Sequence, residues 1–288
     1  MTSIFITLMR IFSKPWSSTD NTRCCFGGEC LTAKLQFLGT GAADWGEPTS
    51  EPGIRRFSSA ILDEKVLIDP GPHIFKWFDG TDVQKLFGNV ECVIVTHSHG
   101  DHFCAESLER LAKITGKLTV VGNNAIESVM PKSENIMFRG INALECIEIS
   151  GYRITALPSN HYVEECEKGD TFHYLVTAPG GKKLFYGLDG AWLTNREYRV
   201  LRQESADLLV LDCTCGDKTP EFRVFEHNTI PMVLIMVDTL KNFGALAENG
   251  KIFVSHLART LHEPHDAVCR RFSDSGVNVA YDGLTVKF

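Results

Sequence analysis

The chain has 288 residues, of which 43% are hydrophobic and 23% are charged, so it can bury a sizeable core as a globular protein. The net charge of −7 argues against a broad electrostatic grip on nucleic acid, and we expect no extended nucleic-acid surface. The ten cysteines are scattered without the framework of a disulfide-stapled scaffold, which favours mostly reduced, buried thiols and a cytoplasmic setting.

Residues 1–32 are mildly apolar and are predicted to be a poorly ordered or loosely docked extension, with one main domain over residues 33–288. Arg10 interrupts the apolar run, no small-residue cleavage site follows, and the run is too short to span a bilayer. We therefore expect no membrane contact. Cys24, Cys25 and Cys30 could bind a metal, but their spacing fits no common zinc pattern well.

From Lys34 onward the chain reads as short apolar strands separated by glycine turns. Strands are predicted, in chain order, at KLQFLG, SSAILDE, KVLIDPG, VECVIVTH, KLTVVG, YRITALP, FHYLVT, KKLFYGLD, ADLLVLDCT, KIFVSH, VNVAYDG and LTVKF. The second and third of these form one predicted hairpin, and a second hairpin turns at Pro179-Gly180-Gly181.

Two segments show apolar residues at helical spacing. AESLERLAKIT is the first, and the second lies within HNTIPMVLIMVDTLKNFG. In the second, Asn228 or Thr229 can cap the helix, Pro231 lies in the first turn and Gly244 ends it. Strands in two successive series with helices between and after them predict two sheets covered by helices, in an α/β fold.

Three histidines and one aspartate occupy the six residues after the buried run VECVIVT. His97 and His99 alternate by two and can face one way at a strand end, while Gly100 allows a sharp turn toward Asp101 and His102. These side chains suit zinc, and also manganese or iron. The alternative, exposed polar loop residues, is weak for four potential ligands in six positions. The pattern indicates two metals side by side.

Three later apolar runs each end on one further potential ligand. They are ITALPSNH, KLFYGLD and KIFVSH, which end at His161, Asp189 and His256. A lone histidine of this kind would more often be structural, but three such residues after a ligand cluster favour ligation. Because the candidate ligands span the whole chain, a single domain is predicted.

THSHGDH followed by His161, Asp189 and His256 resembles the metallo-β-lactamase superfamily, and Asp69 in LIDPG matches its other motif. The resemblance covers residues 34–288 and implies an αββα sandwich with a metal centre at one edge. It implies a first metal on His97, His99 and His161, a second on Asp101, His102 and His256, and Asp189 as the bridge. Asp69 would orient ligands rather than bind a metal.

Short elements point to the phosphodiesterase branch of that superfamily. LQFLGTGAA, LPSNH, LDCT and YDGLTVKF resemble the branch that contains the PhnP phosphodiesterases and tRNase Z. Two divalent cations, zinc first and manganese or iron as alternatives, would lower the pKa of a bridging water and supply hydroxide. The expected reaction is hydrolysis of a small phosphodiester, with cyclic phosphodiesters among the candidates, and the resemblance also suggests a homodimer.

His227 lies just before the second predicted helix. His227 and Asp101 are the two predicted catalytic residues. The resemblance implies that His227 is a general acid toward the leaving oxygen, which could contribute roughly 10²–10⁴ in rate. A helix start beside it would favour a phosphate anion. The alternative is a surface histidine at a helix start.

Two features of the PhnP-like proteins are missing. Their cysteine-rich insert is replaced by ADWGEPTSEPGIRR, and Arg259 stands where they carry a further histidine, so we expect no separate structural zinc. A basic arm like that of tRNase Z is also missing. Trp45, Arg55 and Arg56 are candidate substrate contacts.

No catalytic or metal-binding role is predicted for the remaining histidines or for two cysteines at a strand end. His73 and His173 are expected to be structural or exposed, Cys213 and Cys215 to be buried thiols, and His262 and His265 could line the mouth of the site. Two other functions remain open. The chain could hydrolyse carboxylic esters, lactones or thioesters on the same scaffold, or it could be a non-catalytic, metal-stabilised binding protein.

Overall fold

Two seven-stranded sheets packed face to face form the centre of the molecule, and helices cover their outer faces. The computed structural model describes residues 32–49, 51, 53–76, 83–163, 171–217 and 221–288. Residues 1–31 of the predicted extension, with Cys24, Cys25 and Cys30, lie outside the described residues. Thr32–Phe288 form one compact unit.

The described residues form fourteen strands. They are β1 (Lys34–Gly39), β2 (Ser59–Leu62), β3 (Val66–Ile68), β4 (Cys92–Ile94), β5 (Leu118–Asn123), β6 (Ile136–Ile141), β7 (Cys146–Ile149), β8 (Tyr152–Pro158), β9 (Phe172–Thr177), β10 (Lys183–Gly187), β11 (Ala206–Asp212), β12 (Leu246–Ser255), β13 (Val277–Val279) and β14 (Thr285–Lys287).

Five α-helices and two short 3₁₀ helices accompany these strands. The α-helices are α1 (Val83–Phe87), α2 (Ala105–Thr115), α3 (Asn195–Glu204), α4 (Ile230–Asn242) and α5 (His265–Arg271), and the 3₁₀ helices are Asn124–Val129 and Phe222–Phe225. None of the helices in these ranges is long and apolar enough to cross a membrane.

Strand order brings the ends of several strands to one edge. The first sheet runs β14-β1-β2-β3-β4-β5-β6 and the second β13-β12-β11-β10-β9-β8-β7. Strands β3, β4, β5 and β6 are mutually parallel, and so are β10, β11, β12 and β13. Because the carboxyl ends of parallel strands meet at one edge, polar residues that follow them collect there.

The strands bury both faces, which explains their nearly continuous apolar runs. On β10, Leu184 and Tyr186 pack between the two sheets, whereas Phe185 packs toward the helices of the second sheet. Leu108 of α2 packs on the outer face of the first sheet and Val233 of α4 on that of the second. The predicted αββα sandwich is therefore confirmed.

The two predicted helices are confirmed, with small changes at their ends. The first is α2, over the predicted residues. In α4, Thr229 is the cap, since its hydroxyl accepts a hydrogen bond from Met232 N at 3.3 Å. The helix ends at Asn242, two residues before Gly244, and Phe243 is its C-terminal cap.

Candidate metal centre

Each predicted ligand follows a strand end at the edge described above. His97, His99, Asp101 and His102 form the turn after β4, where His102 N donates to His99 O at 2.9 Å. Asp189 and His256 both have a φ of 61°, in the left-handed region that non-glycine residues seldom adopt. Such backbone strain is commonly retained where a side chain must point in one direction.

Asp189 lies at the centre of the cluster. Its Oδ2 is 3.3 Å from His97 Nε2 and 3.2 Å from His102 Nε2, and its Oδ1 is 3.0 Å from His256 Nε2. Three groups of donor atoms share Asp189, each with all atoms within 4.8 Å of one another. Two match the predicted ligand sets, namely His97, His99, His161 and Asp189, and Asp101, His102, Asp189 and His256, whereas the third consists of Asp189, Asp212, His227 and His256. The structure thus brings together all seven predicted ligands, while their division between two ions stays a prediction.

The hydrogen-bond partners of the His102 and His256 rings indicate that a cation lies between the two rings. His102 Nδ1 donates to Asp69 Oδ2 at 2.8 Å, and His256 Nδ1 donates to Thr214 Oγ1 at 2.7 Å. When neutral, each ring therefore carries a lone pair on Nε2, and these two atoms are 3.2 Å apart. Two lone pairs at this distance repel each other unless a proton or a metal ion lies between them.

The spacing and the chemistry of the donors fit divalent metal ions. Among the described residues, His97 Nε2 and Asp189 Oδ1 are buried without an aligned hydrogen-bond partner. Ligands about 2.1 Å from a tetrahedral ion lie about 3.4 Å apart, which is close to the 3.0–3.4 Å separations of several atoms in this cluster. Imidazole and carboxylate donors suit zinc, manganese and iron alike.

The carboxylates of the cluster favour positive charge on two of its rings. Burial lowers the pKa of His102, but the carboxylates of Asp189 and Asp101 outweigh it and raise that pKa well above its usual value. Burial likewise lowers the pKa of His256, and Asp189 and Asp101 reverse the shift. At His161 burial prevails and lowers the pKa to about 4, so this imidazole is neutral and free to donate a lone pair. A site of this kind attracts cations.

Asp69 forms hydrogen bonds with the turn that carries four of the predicted ligands. Its Oδ2 accepts the bond from His102 Nδ1, and its Oδ1 accepts one from Thr96 N at 2.8 Å. A carboxylate on the far nitrogen of a ligating imidazole fixes the ring orientation and strengthens the donor.

His227 lies beside the cluster and is held by Asp212, a residue that the sequence analysis missed. His227 Nδ1 donates to Asp212 Oδ2 at 3.0 Å, and its ring centroid is 5.4 Å from that of His256. Burial lowers the pKa of His227, but Asp212 outweighs this effect and raises it. Asp212 also accepts bonds from Thr214 Oγ1 at 2.8 Å and Asn228 N at 2.8 Å. Its position at the end of β11 was the available signal.

The sequence matches the model of a family described as "Beta-lactamase superfamily domain" over residues 64–253. This chain belongs to the β-lactamase superfamily. The predicted superfamily is therefore confirmed. The matched range contains six of the seven clustered side chains, and His256 lies three residues beyond its end.

A curated relative is similar in sequence to about half of this chain. The chain is 32% identical over 145 residues to a UPF0173 metal-dependent hydrolase of Nitratidesulfovibrio vulgaris, a match covering 48% of this chain and 56% of that protein. The chain therefore spans about half the length of the curated relatives it matches.

Two solved structures have the same fold as this chain. A diphosphatase from the PhnP family superposes with a TM-score of 0.69 at 21% identity, covering 90% of this chain and 98% of the other. Human tRNase Z, short form, gives a TM-score of 0.62 at 17% identity, covering 88% and 98%. At these identities the likeness establishes the fold.

The predicted substrate contacts lie beside the loop that follows His256. A cavity of about 610 Å³ is lined by several of them, namely Trp45, Arg55, His262 and His265. Arg55 Nη1 donates to Ala280 O at 2.8 Å, and its Nη2 lies 3.0 Å from His265 Nδ1. Arg56 N donates to Asp282 at 2.7 Å. Contact with substrate stays a prediction for these residues.

Asp44, in the segment that replaces a cysteine-rich insert, contacts the loop after His256. Its carboxylate accepts bonds from Arg259 N at 2.7 Å, Thr260 N at 3.0 Å and Thr260 Oγ1 at 2.6 Å. The carboxylate of Asp44 thus connects the segment that replaces the insert with the loop that contains Arg259.

His73 and His173 pack inside the protein, as do Cys213 and Cys215. His73 is buried and stacks on Phe57 with ring centroids 4.0 Å apart. His173 is buried, contacts Glu197 through Nδ1 and lies 3.3 Å from Asp189 O through Nε2, so it supports the backbone of a predicted ligand. Cys213 and Cys215 are buried free thiols, as predicted, whereas Cys146 is exposed.

Proposed function

We propose that this chain is a hydrolase that binds two divalent metal ions and cleaves a small phosphodiester. The observation that carries the proposal is the position of Asp189 in both predicted ligand sets, next to a histidine held by its own carboxylate. We propose zinc as the metal, with manganese or iron as alternatives that the same donors suit.

His97, His99 and His161 would hold one ion, Asp101, His102 and His256 the other, and Asp189 would contact both. Bound there, the ions would supply hydroxide near neutral pH and polarise a phosphoryl oxygen. The chain contributes fixed ligand positions, because Asp69 and Thr214 anchor the outer nitrogens of His102 and His256.

His227 is the proposed proton donor. Its Nδ1 proton is engaged by Asp212, so Nε2 is the nitrogen left to give a proton to a leaving oxygen. Cleavage of a phosphodiester of an alkyl alcohol expels a poor leaving group, which makes a proton donor valuable. This feature supports a phosphodiester over a thioester, whose leaving group needs no such proton.

The test compares wild-type protein and His227→Ala, both loaded with zinc or manganese, on two phosphodiesters. One carries an alkyl leaving group and the other 4-nitrophenolate, which leaves without a proton. We expect kcat for the alkyl substrate to fall roughly 10²–10⁴-fold and kcat for the nitrophenyl substrate to fall much less, at equal metal content.

Other outcomes identify the alternatives. Equal losses on both substrates would remove the general-acid role from His227. Faster turnover of a lactone, carboxylic ester or thioester than of any phosphodiester would favour the second hydrolase class. Metal-loaded protein that turns over none of these substrates would indicate a non-catalytic binding protein.

A further inference from the structure

The short helix just before His227 carries two unusually exposed aromatic side chains. Phe222 is 79% exposed and Phe225 78%, the highest values among the large hydrophobic residues in the described part of the chain. Exposed apolar side chains of this size that occur together mark binding surfaces more often than chance positions.

The local geometry puts both rings on one face. Phe222–Phe225 is a 3₁₀ helix, in which side chains three residues apart lie above one another. Val224, between them, packs inward against the cluster of Ala42, Cys215, Ala258 and Leu261. We call the pair Phe222 and Phe225 the aromatic face.

The aromatic face is held in position by polar contacts at both ends of the helix. Glu221 accepts a hydrogen bond from Arg223 Nε at 2.9 Å and caps the helix through Arg223 N. At the other end, His227 N donates to Arg223 O at 2.8 Å. The two rings are therefore presented by an anchored turn.

This turn meets the candidate metal centre. Glu226, next to Phe225, places Oε2 3.4 Å from Nδ1 of His161, and the rings of His161 and His227 have centroids 5.1 Å apart. The segment that carries the aromatic face therefore continues directly into residues that contact the centre, on the side where His227 would give its proton.

Two further exposed aromatic residues stand on segments that carry site residues. Tyr162, which is 57% exposed, follows His161 directly, and Trp192, which is 43% exposed, comes three residues after Asp189. Trp192 N donates to Asn228 Oδ1 at 2.7 Å, which ties its segment to the one that holds His227. Exposed aromatic side chains thus accompany three of the segments that form the site.

We propose that the aromatic face binds a planar ring on the leaving alcohol, so that the substrate class is a phosphodiester whose leaving group is a nucleoside or a similar aromatic alcohol. This inference rests on the proposed function. In the reaction, the oxygen of water bonds to phosphorus, the bond from phosphorus to the leaving oxygen breaks, and that oxygen takes the His227 proton.

An asymmetric diester tests the side on which the ring binds. Hydrolysis of a nucleoside 5′-methyl phosphate yields either nucleoside and methyl phosphate, or nucleoside monophosphate and methanol. The ratio of the two product pairs is independent of the active fraction of a preparation. We expect wild-type protein to release mainly nucleoside, and the variant Phe222→Ala/Phe225→Ala to lose that preference by about 5- to 150-fold, the usual contribution of base stacking.

Phe243→Ala is the matched control, since Phe243 is an exposed phenylalanine at the opposite end of α4 from His227. It should leave the product ratio unchanged. An equal ratio in wild type and the double variant overturns the inference, and so does a changed oligomer mass with an unchanged ratio, which would assign the face to a second copy of the chain. Failure of metal-loaded wild type to hydrolyse any phosphodiester would instead contradict the proposed function.

Discussion

Asp69 Oδ2 lies 2.8 Å from His102 Nδ1, and both side chains are fully buried. The substitution Asp69→Asn keeps the shape of this residue but removes its charge and replaces one of its two acceptor oxygens by an amide donor. Because such partners orient the imidazole and raise its basicity, we expect metal affinity to fall about 10- to 100-fold. Competition with a chromogenic chelator measures this change.

Asp63→Asn provides the control for that variant. Asp63 lies on the same hairpin and also accepts hydrogen bonds, from Lys34 N and Tyr152 Oη, but it contacts no predicted ligand. Metal affinity should match the wild type. If both variants bind metal alike, the orienting role of Asp69 is wrong.

The architecture could be predicted because strands buried on both faces carry continuous apolar runs, as in β10 and β11. Helix α3 was missed because its sequence is polar and only Glu197 and Leu201 are buried. A signal was nevertheless present, since Thr194 and Glu197 form a capping box. Strands β6 and β7 were missed as well. They lie at sheet edges, where exposed faces weaken the apolar pattern.

The predicted ligands could be found because histidine and aspartate at successive strand ends form a chemically coherent set. Asp212 could not be separated from a capping or solvated carboxylate by sequence alone, although it ends β11 as Asp189 follows β10. Its role depends on His227 folding back onto it from fifteen residues later. The exposure of Phe222 and Phe225 similarly depends on which face of a short helix packs inward.

Asp212 should act on catalysis through His227. We expect Asp212→Asn to lower kcat for an alkyl phosphodiester at least 10-fold, because His227 loses the carboxylate that orients it. If the two residues work as a unit, the double variant with His227→Ala will be no slower than His227→Ala alone. Steady-state kinetics on metal-saturated proteins measure this coupling.

Asp207→Asn is the control, since Asp207 lies on the same strand and pairs with Lys182 at 2.8 Å near the strand's start. It should be neutral in kcat. Additive losses from the changes at Asp212 and His227 would show that Asp212 contributes by another route, such as the position of His256.

Removal of the metals should destabilise the fold, because the carboxylates of the cluster would lose the cations that balance them. At a free metal concentration of 1,000 Kd the bound ion adds about 4 kcal/mol, which corresponds to a Tm increase of roughly 8–16 °C. Thermal melts before and after chelation, and after readdition of zinc or manganese, measure the shift. Calcium, which prefers oxygen ligands, is the control and should restore little. An unchanged Tm after proven metal loss would contradict the prediction.

Asp44 should make a pH-dependent contribution to stability. Burial raises the pKa of Asp44, but hydrogen bonds from Thr260 and Arg259, with the charge of Arg223, outweigh it and lower the pKa below its usual value. A carboxyl group whose pKa is lower in the folded state stabilises the fold above its unfolded pKa of about 3.9, and that contribution disappears as the pH falls through the folded value.

The variant Asp44→Asn should therefore lose about 1–2 kcal/mol in the free energy of unfolding at pH 7, a value reduced for the partial exposure of the site. The difference from wild type should shrink steadily below about pH 4, because the wild-type carboxyl group then binds a proton and loses its advantage. Urea denaturation of metal-free proteins between pH 3 and pH 7 separates this effect from the release of bound metal at low pH, and protonation of the cluster is common to both proteins. Asp238→Asn, on the exposed side of α4, should show no difference at any pH. A loss for Asp44→Asn that stays constant across this range would mean that the shape of the carboxylate, and not its charge, stabilises the loop after His256.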